Sequence, residues 1–190
     1  MHDPATLYVA FCRVEGNRGA NTPGVDGMTV RKLPKYLKRH WPQIREQLLA
    51  GTYRPQPVKR VEIPKPDGTK RPLGIPTFED KVLQRAVAMV LNAVYEQDFL
   101  PCSYGFRPGR SAHQALQALW NATMKVGGGW VIEIDIRPFF DSVDHGHLRA
   151  FLEQRVRDGV IRRTIDKWLN AGVQQDGAIR YLTGGTPKAA

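Results

Sequence analysis

Cysteine is scarce in this chain: only Cys12 and Cys102 occur among 190 residues, far apart. That excludes a disulfide framework and any paired zinc-ribbon spacing, and it points to a reducing compartment. Long apolar runs are also lacking, and the stretch from Met1 to Gly16 has neither a basic start nor a hydrophobic block. The expectation is a soluble, cytoplasmic protein with no membrane contact. No internal repeat or low-complexity tract occurs, so the chain is read as globular.

Positive charge is in excess, and it is concentrated. The formal charge is +10, and residues 30–71 hold twelve Lys/Arg against Glu46, Glu62 and Asp67, so this stretch alone carries +9. A focused basic region draws a polyanion and makes binding salt-sensitive. A solvated face is the bland alternative, but gathering nearly the whole net charge into one stretch favours a phosphate-bearing partner. The hydrophobic share of 42% suffices for one sizeable core or two small ones.

Residues 16–29, rich in Gly, Asn and Pro, read as loop and turn. Leu33, Leu37, Trp41, Ile44 and Leu48 recur at helical spacing over 30–50, interrupted by Pro34 and Pro42. Two short strands flank the turn Pro66-Asp67-Gly68, and their prolines predict edge positions. Thr77 caps a helix expected to run to about Leu100, with Phe78, Val82, Ala86, Val90 and Val94 as its apolar stripe. Ser111 caps another, with Ala112, Ala115, Leu116, Leu119 and Thr123 expected to face inward and Gly127 ending it. Residues 130–136 read as a strand, helices follow at about 145–157 and 161–171, and Asp176-Gly177 turns into a further strand over 178–182. The order of elements is α+β.

The segment "VIEIDIRPFFDSVDH" (131–145) carries the chemistry. Strand alternation puts Glu133 and Asp135 on one face at the C-terminal end of an apolar run. A carboxylate there can hold Mg²⁺, which takes oxygen ligands and often uses only one or two carboxylates plus water and phosphate. Asp144 stands where an N-cap belongs, and capping is preferred over a metal role. Asp141 is either a turn former or a polar anchor beneath the site.

Here the chain resembles the reverse transcriptases encoded by group II introns, in five blocks in the family's order. These are "GVDGMT" (24–29), "YRPQPVKRVEIPKPDGTKRPLGIPTFEDKVLQ" (53–84), "SYGFRPGRSAHQAL" (103–116), "VIEIDIRPFFDSVDH" and "GGTPKAA" (184–190). The resemblance implies an N-terminal extension (1–29), a helical fingers region with a β-hairpin (30–129) and the first part of a polymerase-type palm sheet (130–190). It implies two-metal nucleotidyl transfer with Mg²⁺, or Mn²⁺ in its place. Asp135 and the backbone carbonyl of Ile136 would hold the metal. Phe140 would stand as a steric gate against the nucleotide sugar, with ordinary core as the alternative and Phe139 the better core candidate. Lys65 and Arg71 would clamp the triphosphate, with Lys70 as an alternative sharer of that role. Arg107, Arg110, Lys59 and Arg60 would contact nucleic acid, although Arg107 and Arg110 also suit a structural loop. The implied partners are an RNA template and intron RNA, a DNA primer and deoxynucleotide triphosphates.

The pattern departs from the family in two places. The sequence has no Asp-Asp pair, and Gly185-Thr186-Pro187 is followed by Lys188-Ala189-Ala190 where glutamine and two glycines are expected. The expectation is an incomplete palm, inactive alone, whose apolar strand needs a partner or a dimer to complete its sheet. Three alternatives stay open: a non-catalytic RNA-binding remnant, a retron or CRISPR-associated reverse transcriptase, and a metal phosphoesterase built on Asp144, His145 and His147.

Overall fold

The computed structural model describes residues 3–17, 19–136, 139–181 and 184–186. Pro138, Lys188 and the histidine at position 2 lie outside them, as does the side chain of Leu33. Packing divides the chain into two compact units, Met1–Val90 with Pro138–Ala190, and Leu91–Arg137.

The first unit opens with α1 (Pro4–Glu15), started by the Asp3 carboxylate, which accepts from the Thr6 amide at 2.9 Å. A 3-10 turn (Val30–Lys32) leads into α2 (Leu33–Ala50), which tolerates Pro34 in its first turn and Pro42 inside. Gly51 closes α2 in the left-handed region, and the Lys167 ammonium donates to the carbonyls of Gly51 and Tyr53. Strands β1 (Val58–Pro64) and β2 (Lys70–Ile75) form an antiparallel hairpin, and α3 (Phe78–Tyr95) follows. Thr77 caps α3 as expected, its hydroxyl accepting from the Asp80 amide at 3.2 Å. The helix stops at Tyr95, short of Leu100.

The core lies where α1, α2 and α3 meet: Leu7, Ala10 and Val14 pack with Ile44, Leu48, Phe78, Val82, Leu83 and Ala86. Complete burial of Phe78 and Leu83 contributes about 1.5–3 kcal/mol each.

The strand order is β2-β1-β3-β4, where β3 (Val173–Gln175) runs parallel to β1 and β4 (Ala178–Arg180) antiparallel to β3. Asp176 and Gly177 both have positive φ, 51° and 80°, which suits the tight turn between β3 and β4. β1 is therefore internal, which corrects the expectation of two edge strands. The proline rule still holds locally: β3 pairs only with Val58 and Lys59, so Pro64 lies beyond its reach.

α5 (Phe139–Ser142), α6 (His145–Arg155) and α7 (Gly159–Leu169) complete the first unit, the last two capped by Asp144 and Asp158.

The second unit holds α4 (Ala112–Val126), begun by a capping box of Ser111 and Gln114 and ended by Gly127. Its apolar face is not inward: no residue of α4 is buried, and Leu116, Leu119, Trp120 and Met124 are exposed. Residues 130–136 form no strand, a second correction. Every one is exposed, Trp130 at 98% and Ile134 at 83%. The physical reason is that a strand exists only as a pairing, and no described segment pairs with this one. Among the described residues, no helix is long and apolar enough to cross a membrane.

Candidate functional site

The hairpin is built by local chemistry. The Asp67 carboxylate accepts from the Thr69 amide at 2.9 Å, and the Lys65 amide donates to the Thr69 carbonyl at 2.7 Å. Those amide and hydroxyl contacts hold the Asp67 carboxyl below its ordinary range. From Glu62 to the turn and back to Arg71 the ribbon is exposed, while β2 descends into the interior at Gly74 and Ile75. Lys65 sits in the turn, and Arg71 faces Ile63 across the ribbon. Lys70 is paired with Glu62 at 3.2 Å, whereas neither Lys65 nor Arg71 joins an ion pair among the described residues. Lys59 and Arg60 are both exposed, but as neighbours on a strand they point to opposite faces.

Below the hairpin a cavity of about 580 Å³ opens between the loop after α1, the end of β2 and α3. Gly24 lets this loop touch the β2–α3 junction: a Cβ there would stand 2.8 Å from the Pro76 carbonyl oxygen. Lys81 and Arg85, one turn apart on α3, line the cavity with Gln84 and Asn17. The Lys81 ammonium donates to the Thr22 carbonyl at 2.8 Å and lies 4.2 Å from the Phe78 ring centre. Burial lowers the Lys81 pKa, partly offset by Asp26. The Arg85 Nε is buried with no hydrogen-bond partner among the described residues. Such a cavity, lined by an ammonium and a guanidinium, suits an anionic oxygen.

α3 begins at a buried carboxylate. Asp80 is 2% exposed. Its Oδ1 accepts from Tyr53 Oη and Trp168 Nε1, both at 2.8 Å. Its Oδ2 accepts from Thr77 Oγ1 at 2.8 Å and the Gln56 amide at 3.3 Å. Burial pushes the Asp80 carboxyl up against the pull of these donors. Burial likewise raises Glu79, which accepts from Tyr36 Oη at 2.8 Å, and burial beside Glu79 pushes Tyr36 up to about 12. The available signal was Thr-x-x-Asp at a helix start, which shows the cap but not the distant Tyr53 and Trp168.

Asp135 and Ile136 lie in the exposed segment of the second unit. The donor set of one carboxylate and one carbonyl fits a single Mg²⁺ that takes its other ligands from water and phosphate. Among the described residues no group of three or more His, Cys, Asp or Glu is gathered for a metal. Phe140 is 59% exposed on the single turn α5, edge-on to Phe139 with centroids 5.2 Å apart. Core packing is excluded for both rings, since Phe139 is exposed as well.

Arg107 is placed as a structural residue. Its side chain is 8% exposed; Nε and one terminal nitrogen hold Glu96 Oε1, and the other terminal nitrogen donates to the Leu100 and Ser103 carbonyls, both at 2.9 Å. Arg110 is exposed and lies 5.3 Å from the Tyr104 ring centre. Asp144 caps α6 through the His147 amide at 2.8 Å, which lowers its pKa. His145 turns away from Asp144 into the interior, donating from Nε2 to the Gly185 carbonyl at 2.7 Å, while His147 is exposed. The Asp144, His145 and His147 side chains therefore do not converge on one metal.

Comparison with known proteins agrees with the motif reading. The pattern of the reverse transcriptase (RNA-dependent DNA polymerase) family matches residues 63–188. Protein YkfC of Escherichia coli (strain K12) is 39% identical over 175 residues, covering 90% of this chain and 46% of that protein. The group II intron-encoded protein LtrA of Lactococcus lactis subsp. cremoris is 38% identical over 192 residues, covering 97% of this chain and 30% of that protein. This chain thus spans less than half the length of either relative. The fold is similar to a chain of a partial Cas6-RT-Cas1--Cas2 complex, with a TM-score of 0.56 at 24% identity over 98% of this chain and 30% of that one.

Proposed function

Since the chain belongs to the reverse transcriptase family, in its group II intron-encoded branch, we propose that it forms the template- and nucleotide-gripping part of an RNA-directed DNA polymerase. In this reading residues 1–29 are an N-terminal extension, 30–129 the fingers region and 130–190 the first part of the palm. The observation that carries it is the exposed cationic hairpin, where Lys65 and Arg71 stand outside any ion pair among the described residues. An ammonium and a planar guanidinium at a ribbon tip suit the oxygens of a triphosphate.

The remaining roles belong to the same reading. Lys81 and Arg85 take a phosphate of the RNA template in the cavity that they line. Lys59, Arg60 and Arg110 contact nucleic-acid backbone from exposed positions, and Arg107 holds its own loop instead. The exposed Phe140 ring packs against the nucleotide sugar and excludes a 2′-hydroxyl by size. Asp135 and the Ile136 carbonyl would hold Mg²⁺, which when bound would supply charge stabilisation for nucleotidyl transfer. Mn²⁺ suits the same oxygens. A single aspartate cannot offset the charge of a triphosphate and an alkoxide together, so the chain alone is expected to bind but not to polymerise.

The second reading is a maturase-like module that binds intron RNA without catalysis. It is favoured by the contrast between a packed cationic unit and an Asp135 segment that pairs with no described strand. Primer extension on an RNA template with Mg²⁺ and RNA binding at several salt concentrations test what the readings share, and binding of a deoxynucleotide triphosphate separates them: only the first expects it to be held, and less tightly in Lys65→Ala and Arg71→Ala. The proposal expects salt-sensitive RNA binding that survives Asp135→Ala, and a log–log salt slope about 0.7–0.9 shallower per Lys or Arg removed from the ribbon. RNA binding indifferent to salt and to these residues would remove the basis of both readings. Template-directed incorporation lost in Asp135→Ala would show that the chain polymerises unaided.

A further inference from the structure

α5 is a single turn, too short to hold its own shape, yet it carries the Phe140 ring. Four hydrogen bonds tie its surroundings to residues 184–186, the longest from the Thr186 hydroxyl to the Phe140 carbonyl at 3.5 Å. The Thr186 amide donates to the Phe140 carbonyl at 2.8 Å, and the Gly185 amide to the Val143 carbonyl at 2.8 Å. His145 Nε2 meets the Gly185 carbonyl at 2.7 Å. A carbonyl only accepts, so Nε2 carries the proton. The imidazole is 6% exposed, at the first position of α6. Gly185 has φ 75°, and a Cβ there would lie 2.7 Å from the Asp141 carbonyl oxygen. The fit admits no side chain and leaves the imidazole as the sole side-chain donor recorded at the Gly185 carbonyl among the described residues.

We infer that His145 is a positioning residue for Phe140. It pins Gly185, whose neighbour Thr186 holds the Phe140 backbone, and so sets where the ring stands. Its bearing on sugar selection rests on the polymerase reading above; the positioning itself does not. No metal role for His145 is involved, since no group of three or more His, Cys, Asp or Glu is gathered for a metal among the described residues.

The test uses the whole 190-residue chain carrying fluorophenylalanine, with the Phe140 resonance identified by its loss in Phe140→Leu. His145→Leu keeps apolar bulk without the donor, and His145→Gln returns an amide N–H near the Nε2 position. In His145→Leu the Phe140 resonance is expected to move, and the Gly185 and Thr186 amides to exchange about tenfold faster. Core amides of α3 should exchange as in the parent, and His145→Gln should restore both signals. Gly185→Ala, with His145 intact, attacks the same contact from the other side and is expected to move the same resonance. An unmoved Phe140 resonance in both His145→Leu and Gly185→Ala overturns the inference, and so does failure of His145→Gln to restore it. None of these signals requires nucleotide incorporation, so failure of the polymerase reading leaves a result distinct from failure of the positioning role.

Discussion

Asp80 offers a sharp test of how the first unit is held together. Its two oxygens accept four hydrogen bonds from three places in the chain: Tyr53 and Gln56 before β1, Thr77 before α3, and Trp168 on α7. The donors are not equivalent. The Tyr53 and Thr77 hydroxyls can rotate and become acceptors, but the Trp168 indole and the Gln56 amide can only donate. These two obligate donors sit on different oxygens. In Asp80→Asn the side-chain NH₂ must replace one oxygen, so whichever way the amide turns it faces one obligate donor. Leaving one such group unpaired costs about 1–3 kcal/mol. Asp80→Ala strands both, for about 2–6 kcal/mol in all. The assay is urea unfolding followed by tryptophan fluorescence, with amide exchange along α3 confirming that the first unit is the one reporting. The ordering matters as much as the size: alanine must cost more than asparagine. The reasoning is refuted if Asp80→Ala lies within about 0.5 kcal/mol of the parent, the range of a surface substitution, or if asparagine proves the worse replacement.

Other expectations bear on separate parts of the molecule. Because burial raises Asp80 and Glu79, the folded state keeps their protons to higher pH than the unfolded chain does. Their contribution to stability is therefore fully present below the unfolded carboxyl range and declines as pH rises through the folded values. Urea midpoints from pH 4 upward should show the advantage of the parent over Asp80→Asn shrinking, and a widening gap would contradict the sign. Arg107→Ala should speed amide exchange over residues 99–104 while leaving the salt slope of RNA binding unchanged; a shallower slope would return Arg107 to the nucleic-acid surface. Replacing Ile132 and Ile134 by lysine should lower hydrophobic-dye binding and concentration-dependent association without shifting the α3 core. Unaltered dye binding would mean that another face of the chain is responsible.

The parts legible in the sequence were those whose causes lie within a few residues. The Pro66-Asp67-Gly68 turn, the Thr77 and Ser111 caps and the capping role of Asp144 all depend on neighbours two to four positions away, and the structure contains each of them. β3 was missed because Val173–Gln175 carries little strand signal of its own and exists through pairing with Val58 and Lys59, more than a hundred residues earlier. Residues 130–136 failed in the opposite sense. The alternating pattern was correct as a pattern, but a strand is a relation between two segments and the described chain provides only one. Nothing local to Asp80 announces Tyr53 or Trp168. At the site, Phe140, Lys65 and Arg71 stand exposed, whereas Arg107 is held in its loop because Glu96 and two carbonyls lie within its reach.

The contact at Gly24 has a wider bearing. The wall formed by the loop after α1 meets the β2–α3 junction backbone to backbone at Gly24, so main chain, together with the Lys81 bond to Thr22, frames the cavity. Lining side chains can then be exchanged to retune which chemistry the cleft prefers while this backbone contact is kept. A side chain at position 24 would instead force the two backbones apart, which makes that glycine a lever on the shape of the pocket.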